Sequence, residues 1–148
     1  MQGCAMNNQD QVVLREIQKN THMGMEAIDA LMPRVKKEEF ARELANQSMM
    51  YGEYYEKASN KLKEEENRLY KDVSGKNMML RGGIWIKTFM NQSTGHMAEL
   101  VIHSTNRGIM DMYKSLKYNK YANVSTKELA KELMEMQEMS ISKMKEYL

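Results

Sequence analysis

Two stretches of this chain nearly repeat one another. Glu39-Phe40-Ala41-Arg42-Glu43-Leu44 has its counterpart in Glu128-Leu129-Ala130-Lys131-Glu132-Leu133. Each opens a long segment whose apolar residues recur at spacings of three and four, the period of a helix with one buried face. Each also follows another segment of the same kind. The correspondence runs on, with Gln47 and Tyr51 aligned to Met136 and Ser140. The second and fourth segments therefore hold equivalent places. The reading is an all-α fold: two helical hairpins packed as one antiparallel four-helix bundle.

Punctuation along the chain supports long helices. Proline occurs once, at Pro33, and glycine is sparse. Asp10 is placed to cap a first helix running to about Met32, with Val13, Leu14, Ile17, Thr21, Met25 and Ile28 on its inner stripe. Pro33 should end it, because the ring removes a donor and clashes with the preceding turn. A second helix is predicted from Val35–Glu38 to about Tyr70, with Phe40, Leu44, Gln47, Tyr51, Tyr54, Ala58 and Leu62 facing inward. Asp72 to Asn77 reads as a loop.

The third helix is predicted to run from Met78 to Leu116, with Gly82-Gly83 weakening its first turn. Its stripe includes Asn91, Thr94, Ala98, Val101, Thr105, Ile109 and Met112. Ser125 followed by Glu128 has the form of a capping box for the fourth helix, after a Tyr/Asn/Lys-rich connection. Residues 1–8 read as a flexible N-terminus and 9–148 as one domain.

Composition narrows the function classes. The formal charge is +2, and the dense cluster Lys61 to Arg68 mixes both signs, so no nucleic-acid partner is expected. Cys4 stands alone, which rules out an internal disulfide. No apolar run resembles a signal peptide or approaches the roughly 20 residues of a membrane span. The expected location is the cytoplasm. The 17 methionines are spread along the chain without a Cys/His cluster beside them. They read as malleable packing, not as a soft-metal site.

Long paired helices and a repeat between the second and fourth resemble the ferritin-like superfamily, including its small bacterial bundles. The resemblance covers nearly the whole chain and is architectural. It implies a metal pair held by a Glu from each of helices one and three, with Glu-x-x-His from each of the other two. This sequence contains no Glu-x-x-His. Asn46 or Gln47 follows Glu43 where the second helix would need His, and Glu135 or Met136 follows Glu132 in the fourth. Thr21 and Gly24, then Asn91, Thr94 and Gly95, stand where the other helices would need Glu. Amides and hydroxyls are weak ligands for iron. No di-iron ligand is carried over, and no cofactor is expected.

Other candidates remain. His96, Glu99 and His103 share one helix face and could hold a divalent ion, although that face points away from the core stripe. His22 and Glu26 form an i, i+4 pair that reads as local helix support. Gln47, Tyr51, Asn91 and Thr94 are expected in a buried polar layer, which is either a register-fixing network or the remnant of a ligand pocket. Trp85 and Phe89, with Met78 nearby, fall opposite the main stripe of the third helix and suggest a homodimer interface. No nucleophile–base pattern or phosphate loop stands out. The expectation is a non-enzymatic bundle acting by self-association or by binding an unidentified protein. The alternative is a metal-binding or redox member with a non-standard site.

Overall fold

A computed structural model describes residues 5–66 and 93–148, of which 64–66 are described by their backbone alone. Those residues form four α-helices: α1 (Asn8–Leu31), α2 (Glu38–Glu66), α3 (Thr94–Tyr118) and α4 (Val124–Lys145). A short 3-10 turn, Met32–Arg34, follows α1. Pro33 lies at its start, and Val35 is already extended, so the proline stops α1 where predicted.

The start of α1 differs from the sequence reading in a useful way. Asn7 is the cap, and Asp10 is the third helical residue. The Asn7 side chain accepts from the Asp10 N–H at 2.9 Å, and the Asp10 carboxylate accepts from the Asn7 N–H at 2.8 Å. This reciprocal pair satisfies two otherwise orphaned donors. Asp10 does more than close its own helix. It also accepts from the Asn123 backbone N–H at 2.6 Å and the Asn123 side chain at 2.8 Å. The carboxylate is fully buried. It fastens the first turn of α1 to the first turn of α4.

That fastening explains a second departure. The cap of α4 is Asn123, one residue before Val124, and it makes no side-chain cap bond. Its amide is spent on Asp10 and on the Ala5 carbonyl. Ser125 lies inside the helix, so the predicted capping box with Glu128 does not form. A third departure concerns α3. Ser93 has extended backbone and accepts from the His96 N–H at 3.2 Å. A helix therefore begins at Thr94, where the Ser93 hydroxyl takes up a first-turn donor, and the part of the predicted third helix from Met78 to Gln92 lies outside the described residues.

Most residues of the stripes read from spacing form the core, whereas Met25, Tyr54 and Ile109 are only half-buried. Val13, Leu14, Ile17, Ile28, Phe40, Leu44, Ala58, Leu62, Ala98, Val101, Met112, Leu129, Leu133 and Met144 are all buried. Each large aliphatic side chain so buried contributes about 1.5–3 kcal/mol. Repeat partners occupy matching environments: Phe40, Leu44, Gln47 and Tyr51 are buried, as are Leu129, Leu133, Met136 and Ser140. α1 packs broadly on α2 and on α3, α3 packs on α4, and α4 also touches α1 and α2.

Pairings across the helices fix the register. Gln18 donates to Ser59 at 2.8 Å between α1 and α2. Asn20 donates to the Gly108 carbonyl at 2.7 Å between α1 and α3. The Phe40 ring meets the edge of Tyr147 at a centroid distance of 5.0 Å, joining the start of α2 to the chain just after α4. Among the described residues, no helix is long and apolar enough to cross a membrane.

Candidate functional site

Half-way along the bundle, the core becomes polar. Asn20 on α1, Gln47 and Tyr51 on α2, Thr105 on α3 and Gln137 on α4 are all buried. Their hydrogen bonds run in one direction. The Asn20 side-chain N–H₂ donates to the Gly108 carbonyl, which leaves Asn20 Oδ1 as an acceptor. Gln137 donates to that oxygen at 2.8 Å. Because a backbone carbonyl can only accept, it sets the orientation of Asn20, and Asn20 sets that of Gln137. Gln47 likewise donates to Glu43 at 3.0 Å.

Two acceptors are left over. Gln47 Oε1 and Gln137 Oε1 are closed off from solvent and have no hydrogen-bond partner among the described residues. Gln18 Oε1, in the seam between α1 and α2, is a third buried amide oxygen of this kind. An unmet buried acceptor costs about 1–3 kcal/mol. Tyr51 closes the layer. Burial pushes its phenol pKa up, while hydrogen bonds with the side chains of Gln137 and Thr105 work in the opposite direction. The phenol therefore stays protonated through the physiological range.

Two glycines make this layer possible. A Cβ on Gly24 would lie 2.6 Å from the Tyr51 ring. A Cβ on Gly108 would lie 2.8 Å from both Asn20 Oδ1 and Gln137 Nε2. Mid-helix glycine costs about 1 kcal/mol relative to alanine, so each is placed where backbone must be approached closely.

Small residues on the facing surfaces of α1 and α3 leave space above the layer. A cavity of about 180 Å³ lies there. The polar layer forms its floor, and Met23, Ala27, Ile28 and Val101 supply apolar walls. Ser104 and Arg107 on its lining are exposed, so the cavity is a cleft reached from the α1–α3 surface. Glu16, Glu26 and Asp111 also border it and are half-buried. Glu16 has its pKa raised, first by burial and further by the nearby Asp111 carboxylate, while Lys19 acts to lower it.

The predicted site residues divide. Gln47 and Tyr51 lie in the layer. Thr94 is half-buried at the first position of α3, away from mid-bundle. Asn91, Trp85, Phe89 and Met78 lie outside the described residues. Glu99 stands 3.8 Å from His96 and 3.7 Å from His103 on the outer face of α3. His22 lies 3.7 Å from Glu26 on α1. Among the described residues, no three or more His, Cys, Asp or Glu converge in a way that could hold a metal ion. The amide, hydroxyl and phenol groups at mid-bundle do not fit an iron pair.

Sequence spacing did not single out Asn20 or Gln137. Both are beside stripe residues, Thr21 and Met136, and pattern alone does not say which amides meet. Gly108 was the available signal, since an isolated glycine inside a strong helix pattern marks a close approach. Comparison of the chain with protein-family models, with curated proteins and with solved structures finds no match.

Proposed function

We propose that this chain is a non-enzymatic binding protein, built on a ferritin-like plan of two antiparallel helical hairpins, that holds a small molecule in the cleft between α1 and α3. The topology is supported by register. Gln18 meets Ser59 and Gly24 meets Tyr51, so partners on α2 fall in number as those on α1 rise. Asn20 with Gly108 and Glu16 with Asp111 run the same way between α1 and α3, as do Phe40 with Tyr147 and Tyr51 with Gln137 between α2 and the C-terminal segment of α4 and the residues after it. Asp10 with Asn123 and Asn20 with Gln137 rise together, as parallel helices on a diagonal would.

The observation that carries the function is the cleft itself, with a pre-organised amide floor where an iron-binding relative would have ligands. Binding pockets combine apolar walls with a few placed polar groups. A cavity of about 150 Å³ in another protein accepts benzene, so one of about 180 Å³ has room for a single substituted ring. The floor groups do not titrate near neutrality, which favours holding a ligand over acid–base chemistry on it.

Nuclear magnetic resonance titration with benzyl alcohol tests this reading. Amide shifts at Gly24, Val101 and Gly108 are expected, saturating together. Val101→Trp and Ala27→Phe, each filling the cleft, should abolish them while the fold is retained by circular dichroism. Shifts scattered over the surface, or none, would overturn it.

Self-association is a second reading. Tyr118, Tyr121 and Val124 are 76 %, 72 % and 70 % exposed around the α3–α4 turn. Exposed aromatics of this kind are favoured at interfaces. A dimer in sedimentation that Tyr118→Ser with Tyr121→Ser converts to monomer would support it, and a monomeric parent chain would exclude it.

A further inference from the structure

We infer that the cleft selects a small organic cation: an apolar ring or short chain bearing one ammonium group, seated with its charge between Glu16 and Asp111. This rests on the cleft being a ligand site, and adds the chemical class.

The register places the two carboxylates. Asn20 of α1 bonds to Gly108 of α3. Glu16 is one turn before Asn20, and Asp111 nearly one turn after Gly108. Because partners rise and fall in opposite directions, both arrive at the same end of the cleft. Both line it. Ala27, Ile28 and Val101 line the other end. Glu16 and Asp111 thus put two carboxylates at one end of the cleft, with Met23, Gly24 and Gly108 beside them for the apolar part of an ammonium ion, while Glu26 stands at the other end.

Charge complementarity favours a cation over the alternatives. Glu16, Glu26 and Asp111 border the cleft against one cation, Arg107. Lys19 also acts on Glu16 but is not among the lining residues. Burial disfavours the Glu16 charge, and Asp111 adds to that against the larger opposing effect of Lys19. An ammonium between the two carboxylates relieves their repulsion and restores part of the lost solvation. A carboxylate ligand would add a further negative charge. A neutral ligand would leave the repulsion as it is.

Three near-isosteric probes separate these possibilities: benzylamine, benzyl alcohol and benzoate, each titrated at neutral pH and followed by the Gly24, Val101 and Gly108 amides. Benzylamine should bind at least about tenfold more tightly than benzyl alcohol, the scale of a partly screened charge pair. Benzoate should be weaker than either. Glu16→Gln combined with Asp111→Asn should remove the preference for benzylamine over benzyl alcohol, and a preference that survives it would overturn the placement of the charge. Equal binding of benzylamine and benzyl alcohol would overturn the cation assignment while the cleft reading stands. Tighter binding of benzoate would overturn it in favour of an anion site at Arg107. Failure of all three probes to shift the cleft amides would remove the underlying binding-site reading as well.

Discussion

Single residues carry unusual responsibility in this bundle. Asp10 accepts from Asn7 and twice from Asn123, while fully buried. Removing it strands donors at two helix starts. Asp10→Ala should cost about 2–4 kcal/mol in urea unfolding. Gly108 carries a comparable constraint from backbone proximity. Gly108→Ala gains about 1 kcal/mol of helix propensity but drives a methyl into the Asn20–Gln137 pair, and a net loss of about 1–2 kcal/mol is expected. Glu16 makes the opposite kind of prediction. Its folded-state pKa is raised, so its ionised form is disfavoured by folding. Glu16→Gln should raise the melting temperature at neutral pH. The gain should disappear as the pH falls through the Glu16 range, because the parent side chain is then protonated too. A constant gain across that range would show that charge is not the cause.

At the scale of elements, the period-3.6 stripes were legible and the helix ends were less so. Phe40, Leu44, Leu129 and Leu133 are core because spacing alone puts them on one face. The starts of α1, α3 and α4 depend on which side chain wins a few free N–H groups, and spacing does not decide that. Ser125 has the right offset from Glu128, yet Asp10 draws Asn123 into the cap position instead. The two candidates are separable: Ser125→Ala should change stability by less than about 0.5 kcal/mol, whereas Asn123→Ala should cost about 1 kcal/mol or more. Equal effects would mean that the Asp10–Asn123 tie does not set this helix start. The polar layer was only partly legible for a related reason. Gln47 and Tyr51 fall on a stripe, whereas Asn20 and Gln137 find each other only once two helices far apart in sequence are packed.

At the scale of the molecule, the four helices exchange the usual dry centre for an amide layer with space above it. Small residues on α1 and α3 make that space, and the glycines let the layer approach backbone. Asn20 and Gln137 also lock α1, α3 and α4 in one register, so the layer serves specificity of packing. The mid-bundle cleft as a small-molecule site is the centre of the functional reading. A crystal structure of the protein soaked in benzyl alcohol tests it most directly. The expected result is a ring between Ala27, Ile28 and Val101, beside Gly24 and Tyr51. A space taken up by the protein's own side chains, or holding only water at saturating alcohol, would contradict it.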